Sequence, residues 1–270
     1  MQRIYDLNSL PVEGPSGVKQ QWTAIIPAAG RGSRLGYHLP KILYPVLGRP
    51  ILDWIVALLR PFCDDMVFIV SPGHKNAIEG DLRRLIPDHY NLLVQPQATG
   101  MAEAVALTES TIDTPNCLVM WGDQVAVRPS TLAACQRLFH TSPQTRLTLP
   151  TVHKRNPYIH FLRDSHERII DVWQAREEDA ALEMGENDCG VFLFDAKTLF
   201  SVLKQARNDR SFYGKKTHEF NLLSTIPLFD DFSGHLLTLK LTDETEALGI
   251  NTPAEAKQVE AVLSARSSKA

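Results

Sequence analysis

The chain has no pair of neighbouring cysteines. Cys63, Cys117, Cys135 and Cys189 lie far apart and none belongs to a CxxC spacing, which excludes the usual zinc frameworks and argues against a disulfide scaffold. Four reduced, mostly buried thiols are expected. Charge of one sign is not in excess either. With 28 Lys and Arg against 31 Asp and Glu the formal net charge is −3, mixed along the sequence, so a nucleic acid is not the expected partner. Long apolar runs are missing too. The best membrane candidate, "ILDWIVALL", is too short to span a bilayer and carries Asp53, so no membrane association is expected. The opening "MQRIYDLNSLPVEGPSG" has no basic region followed by an apolar one, so it does not read as a signal peptide and a cytoplasmic protein is expected. Internal repeats and low-complexity tracts are also absent.

What is present is an alternation of short apolar runs with amphipathic stretches. Residues 1–20 are polar and broken by Pro11, Gly14, Pro15 and Gly17, and read as an N-terminal extension. Then "WTAIIP", "MVFIV", "NLLVQ" and "NCLVMWGD" read as strands, separated by helices at "PILDWIVALLRPF", "HKNAIEGDLRRLI" and "GMAEAVALTEST"; a further helix, "RPSTLAACQRLF", follows. Fully apolar short strands between helices indicate a parallel sheet covered on both faces. After about residue 145 the rhythm changes. "TRLTLPTV", "YIHFLR", "RIIDVWQA" and "CGVFLFD" are successive strands without a long helix between them, which implies a mixed sheet with a small antiparallel lobe. Helices are expected at "AKTLFSVLKQAR", "HEFNLLSTIPLF" and "PAEAKQVEAVLSAR", with a strand at "HLLTLKL". The expected architecture is α/β: a Rossmann-like, doubly wound mixed sheet in one domain over about 21–265. Its nucleotide half covers about 21–145 and its acceptor half about 146–265. The site belongs at the carboxyl ends of the parallel strands.

The stretch "PAAGRGSRLGYHLPK" follows the first strand and holds three glycines, two arginines and a lysine. Glycines let backbone N–H groups approach phosphate oxygens without Cβ interference, and Arg34 and Lys41 can neutralise the remaining charge. The spacing is GxGxxxG, and "YHLPKILYPVLGRP" continues as an irregular loop instead of a helix N-terminus, which disfavours a dinucleotide-dependent oxidoreductase. No Gly-Lys-Ser/Thr follows, so the phosphate-loop NTPase pattern fails. A merely structural turn is the plain alternative, and a nucleotidyltransferase is the third reading.

"AAGRGSRLG…LPKILYPVLGRPIL" resembles the signature of the sugar-phosphate nucleotidyltransferases, pyrophosphorylases with a GT-A-like Rossmann fold. The likeness is closest to the uridylyltransferase domain of the bacterial N-acetylglucosamine-1-phosphate enzymes and extends from Trp22 to about Leu263. "QPQATGMAEAV" looks like the family's base-binding loop, "MWGDQV" like its Gly-Asp metal motif, "DCGVFLFD" like the strand below the sugar and "ALGINTPAEA" like its late asparagine motif. No hexapeptide-repeat tail follows, so no acetyltransferase half is expected.

The resemblance implies transfer of a nucleotidyl group from a nucleoside triphosphate, UTP or CTP, to a small phosphorylated acceptor, with Mg²⁺ as cofactor. Ala28, Ala29, Gly30, Gly32 and Ser33 would cradle the triphosphate. Arg34 and Lys41 would hold the pyrophosphate portion. Asp123 and Asn251 would bind Mg²⁺, which prefers oxygen ligands. Gln95 and Thr99 would meet the base. The plain alternatives are an Asp that forms a turn, an Asn that caps the last helix and a solvated surface lysine. Around the acceptor the pattern departs from the family. Ile159 stands for a glycine, Gln174 for a carboxylate and Asp188 for an amide, with His160 and Arg176 as further candidate contacts. N-acetylglucosamine-1-phosphate is therefore not the expected acceptor; another sugar-1-phosphate, or a phospho-alcohol or phosphonate in a cytidylyltransferase, is. A non-catalytic nucleotide-sensing module of the same fold is the reading from another class.

Overall fold

Trp22–Pro27 is buried along nearly its whole length, and its alternate side chains serve different cores: Ala24 and Ile26 join one apolar cluster, Ile25 the other. The same division recurs at Phe68 and Ile69, at Leu118 and Val119, and at Phe192 and Leu193. A strand whose two faces are both covered must be apolar throughout, which is why these runs carry no polar alternation.

The structure is a computed structural model describing residues 2–10, 21–30, 32–177, 179, 182–230 and 235–268. In chain order its elements are β1 (Ile4–Tyr5), β2 (Trp22–Pro27), the small hairpin β3 (Pro45–Val46) and β4 (Arg49–Pro50), α1 (Ile51–Leu59), β5 (Asp65–Val70), α2 (Lys75–Leu85), β6 (Tyr90–Val94), α3 (Met101–Ala106) and β7 (Asn116–Met120). They continue with α4 (Pro129–Phe139), β8 (Thr145–Arg155), β9 (Ile159–Arg163), β10 (Ile169–Gln174), β11 (Met184–Asp188), β12 (Val191–Asp195), α5 (Ala196–Ala206), β13 (His235–Leu241) and α6 (Pro253–Ser267). The main sheet runs β1-β13-β8-β12-β7-β2-β5-β6, with β11 added to β8. β7, β2, β5 and β6 are mutually parallel, whereas β12 and β11 run antiparallel to their neighbours. The antiparallel pair β9–β10 is the expected small lobe. The expected mixed, doubly wound α/β fold is what the chain forms.

Strand order decides where the site lies. From β2 the chain steps to β5 and then β6 on one side, with α1 and α2 covering one face. It then crosses back by α3 on the other face to β7, which lies on the other side of β2. The direction of winding reverses between β2 and β7, and the loops leaving these two strands diverge over a crevice. The glycine-rich loop leaves β2, and Trp121–Gln124 leaves β7.

Two local expectations change, and one strand forms where none was expected. The segment "HEFNLLSTIPLF" is not an α-helix. Phe220 N–H donates to Thr99 O and Phe220 O accepts from Ala102 N–H, so its backbone is spent on the neighbouring loop. Only Leu223–Asp230 winds, as 3-10 turns that contain Pro227. Second, "MGEND" forms β11 although it shows no apolar pattern, because its polar side chains find buried partners. Arg163 donates two hydrogen bonds of 2.7 Å to the two oxygens of Glu186, and Thr151 Oγ1 donates a third at 2.8 Å. Third, the opening residues are not all loose extension: Ile4–Tyr5 pairs in parallel with β13, and Arg3 forms an ion pair with Asp230. Residues 11–20 lie outside the described residues. All four cysteines are buried and free, as expected. Among the described residues no helix is long and apolar enough to cross a membrane.

The Arg163–Glu186 pair lies almost out of solvent, at 13% and 8% side-chain exposure. Removing one partner strands a buried charge. Glu186→Ala is therefore expected to lower unfolding stability by on the order of 3 kcal/mol in urea titrations, with Glu186→Gln intermediate.

Candidate active site

A cavity of about 690 Å³ opens at the crevice between β2 and β7. Its floor is built from loops that the sequence places far apart. After β2 the chain turns at Gly32, whose φ is +60° and whose absent Cβ would lie 2.8 Å from Lys41 Cβ. A side chain at residue 32 would thus be both strained and in collision, so glycine lets the loop fold back onto Lys41. At Gly30, by contrast, the space a Cβ would take is open, and the residue lines the cavity. Ile42 and Leu43 are buried next to Lys41 and anchor this end of the loop in the core.

Lys41 is not a solvated surface lysine. Its Nζ donates to Asp123 Oδ2 at 2.5 Å and to Asn251 Oδ1 at 2.8 Å. Arg34 Nη2 donates to the same Asn251 oxygen at 3.2 Å. Nor does Asn251 cap the last helix. Thr252 does so, in a capping box with Glu255, and Glu255 also accepts the Asn251 backbone N–H at 2.8 Å. The Asn251 side chain is therefore free to face the cavity. Ile250 N–H donates to Asp123 O at 3.2 Å, tying the approach to α6 to the turn after β7. Among the described residues no group of three or more His, Cys, Asp or Glu side chains is set to hold a metal. One carboxylate and one amide oxygen converge on Lys41.

Of the residues expected to cradle a triphosphate, Ala28, Gly30 and Gly32 line the cavity and Ala29 does not. The side chain of Ser33 lies outside the described residues. Gln95 and Thr99 are not among the lining residues. Gln95 is buried, and its Nε2 donates to Gly100 O at 3.1 Å, so it shapes the loop from within. Gly100, with φ +118°, lies so close to Phe220 that a Cβ would sit 2.2 Å from its carbonyl oxygen. The loop after β6 is thereby pinned against Phe220, which itself lines the cavity.

At the acceptor end the structure brings Ile159, Gln174, Arg176 and Asp188 together and leaves His160 out. Alternation along β9 explains the division. Ile159 N–H donates to Asn187 Oδ1 at 3.0 Å on the cavity side. His160 points to the opposite face, where Nδ1 accepts from Glu186 N–H at 3.0 Å and the ring borders a second hollow with His153 and Lys240. Gln174 Oε1 accepts from Asn221 Nδ2 at 2.9 Å, and Arg176 pairs with Glu219 at 2.8 Å. Asp188 Oδ1 accepts from Gly190 N–H at 2.6 Å. Burial nevertheless pushes its pKa up to about 6, with the Asp123 carboxylate adding to the rise and the Gly190 N–H and Lys154 opposing it.

Several lining residues escape sequence reasoning: Trp121, Gln124, Lys154, Tyr158, Asn187 and Asn221. Lys154 had a usable signal, since alternation on β8 sends it to the face opposite His153. Asn221 had none, because its place depends on the segment around Phe220 docking on the loop at Thr99. Glu177 also borders the cavity, but both its oxygens are spent on Lys216 N–H and on the Thr217 N–H and hydroxyl.

Residues 24–214 match the family model of the MobA-like NTP transferase domain. The chain belongs to that family. The expected nucleotidyltransferase kinship is thus borne out. The chain is 26% identical over 251 residues to the bifunctional protein GlmU of Streptococcus equi subsp. zooepidemicus, a match covering 91% of this chain and 52% of that protein. It is 30% identical over 245 residues to GlmU of Thermus thermophilus, covering 88% and 51%. This NTP transferase chain therefore spans about half the length of the curated relatives it matches. In fold it is similar to the inositol-1-phosphate CTP transferase from T. maritima, with a TM-score of 0.68 at 19% identity over 90% of this chain and 95% of the other. It is likewise similar to a UDP-glucose pyrophosphorylase complexed with UDP-glucose, with a TM-score of 0.70 at 16% identity over 92% and 100%.

The raised Asp188 pKa has a consequence for stability. An acid that holds its proton more tightly folded than unfolded favours the fold at low pH, and that advantage is lost as pH rises from the unfolded value near 4 through about 6. Asp188→Asn is expected to be more stable than the parent at pH 8, by on the order of 2–3 kcal/mol. The difference should vanish by pH 4 in urea titrations of the metal-free protein. A constant difference across that range would contradict a buried, titrating Asp188.

Proposed function

We propose that the chain is a Mg²⁺-dependent nucleotidyltransferase that joins UTP or CTP to a sugar-1-phosphate or similar small phosphate monoester and releases pyrophosphate. Residues 21–265 act as the working unit, with the nucleotide held by about 21–145 and the acceptor by about 146–265. The observation that carries this reading is the meeting of Asp123 and Asn251 oxygens on one Lys41 ammonium beneath the glycine-rich loop, with Arg34 beside it. Four chemistry-bearing side chains from three distant segments have no structural reason to converge on open cavity, and a sensing module would not require them.

The donor set fits a hard cation. A carboxylate and an amide oxygen that both reach one nitrogen converge on one point, and both are oxygen donors of the kind Mg²⁺ takes. Asp123 and Asn251 would hold the ion, which would supply neutralisation of phosphate charge there. The protein's own residues supply the rest. Backbone N–H groups around Gly30 and Gly32 cradle the triphosphate. An oxygen of the acceptor's phosphate attacks the α-phosphorus in line with the bond to pyrophosphate. As the new P–O bond forms, that bond breaks and its electron pair leaves on pyrophosphate. The phosphate dianion is already nucleophilic, so no general base is needed. The difficulty is repulsion between two polyanions, and Arg34 and Lys41 offset it by neutralising charge on the departing group.

A second reading, cytidylyl transfer to a non-sugar phospho-alcohol or phosphonate, draws support from the acceptor end. Asp188 and Lys154 bring one carboxylate and one cation there, and among the described residues no ion-pair partner lies within reach of Lys154. That combination suits an acceptor carrying its own charged group better than a neutral sugar ring.

Pyrophosphate release should be measured with Mg²⁺ across the four ribonucleoside triphosphates and dTTP, against sugar-1-phosphates, phospho-alcohols and phosphonates. Activity is expected with UTP or CTP and one acceptor class. Asp123→Asn and Lys41→Ala should each lower kcat/KM by about a hundredfold or more. No release with any pair, together with no nucleotide binding by calorimetry, would sink the proposal.

A further inference from the structure

At the acceptor end two amides are chained to one backbone group, and the chain fixes which atom of Gln174 meets the cavity. Leu223 N–H can only donate, and it donates to Asn221 Oδ1 at 3.0 Å. The other end of the Asn221 amide is therefore Nδ2, which donates to Gln174 Oε1 at 2.9 Å. That leaves Nε2 as the free end of Gln174. Gln174 is only 7% exposed and lines the cavity, and its Nε2 has no partner among the described residues and is not sealed within the protein. A hydrogen-bond donor thus opens on the cavity.

Gln174 ends β10, where the resemblance to the sugar-phosphate nucleotidyltransferases leads one to expect a carboxylate that takes sugar hydroxyls. Here the polarity of that position is inverted, since an ionised carboxylate only accepts and Nε2 only donates. The groups around it agree. Each acidic side chain at this end already accepts a hydrogen bond within the protein: Asp188 from Gly190 N–H, Glu219 from Arg176, and Glu177 from Lys216 N–H and Thr217 N–H. Lys154 lines the same cavity and has no ion-pair partner among the described residues. A cation and an amide donor both call for an oxygen that accepts. A neutral hydroxyl leaves Lys154 without a counter-charge, whereas a carboxylate answers both groups.

Resting on the function proposed above, we infer that the acceptor substrate carries a carboxylate besides its phosphate, with Gln174 Nε2 donating to that carboxylate and Lys154 supplying the counter-charge. Asn221 is the positioning residue: it acts through Gln174, by holding the amide in the orientation that selects such a group. Two small exchanges invert that orientation. Gln174→Glu keeps Oε1 on Asn221 Nδ2 and turns a second carboxylate oxygen to the cavity. Asn221→Asp keeps the bond from Leu223 N–H but offers Gln174 an acceptor, so Gln174 turns its Nε2 inward and presents Oε1 instead. Both variants keep the internal hydrogen bonds, and both put an acceptor where the parent has a donor.

The test compares matched substrates that differ only in this group: glucuronate-1-phosphate against glucose-1-phosphate, and phosphoglycolate against 2-hydroxyethyl phosphate. Each is given to the full chain with Mg²⁺ and UTP or CTP. Pyrophosphate release is the readout, or calorimetric binding where nothing turns over, with nucleotide binding and thermal unfolding measured beside it. The parent is expected to favour the carboxylate member of at least one pair by about tenfold or more. Both variants should erase or reverse that preference while binding nucleotide and unfolding as the parent does. A parent that binds nucleotide but prefers the hydroxyl members, or takes neither member, would overturn the inference and leave the proposed function standing. An unchanged preference in either variant would also overturn it, since the amide orientation would then not set the choice. A parent that binds no nucleotide would remove the proposed function, and the inference with it.

Discussion

One ammonium group organises this site. Lys41 joins the loop after β2, the turn after β7 and Asn251 on the approach to α6, three segments separated by 82 and 128 positions along the chain. The contact is partly shielded, at 16% and 17% side-chain exposure for Lys41 and Asp123. Shielding strengthens the attraction relative to a surface pair, whose net contribution is close to nil. Gly32 must be small for Lys41 to reach, Thr252 must cap α6 for Asn251 to be free, and Ile42 and Leu43 must be buried for the loop to stay down. Each is a local requirement, and all serve one convergence.

In the function proposed, Lys41 and a divalent ion would be alternative occupants of the same two oxygens. A site that keeps its carboxylate balanced by an ammonium avoids leaving a bare charge in a partly dry crevice. In the proposed reaction the same ammonium would then be at hand for the triphosphate.

The parallel half of the fold was legible because apolar runs buried on both faces have no other use. The glycine-rich loop and Asp123 were legible because each stands just past a strand, and Asn251 because it precedes a helix that opens with proline. Legibility failed where polar residues form structure by pairing with one another. β11 has no apolar alternation to announce it, and its strand rests on Arg163 taking Glu186. The stretch at His218–Phe229 reads as a helix until Phe220 is seen to give its backbone to the loop at Thr99. His160 and Ile159 adjoin in sequence, and only the register of β9 sends one into the cavity and the other behind it. Gln95, expected from the resemblance to meet the base, lies off the cavity lining for a related reason: its amide donates to a carbonyl inside the turn. Contacts set by side-chain pairing across distant segments leave little periodic trace.

The short strand at Ile4–Tyr5 covers what would otherwise be the open flank of β13, a seven-residue strand that is apolar and buried over most of its length. Exposed flanks of that kind template pairing between molecules. Trimming the chain back to its first long strand would leave every catalytic candidate in place and yet uncover a row of unpaired backbone groups. Ile4 and Tyr5 thus cover part of the sheet's flank at the end farthest from the cavity.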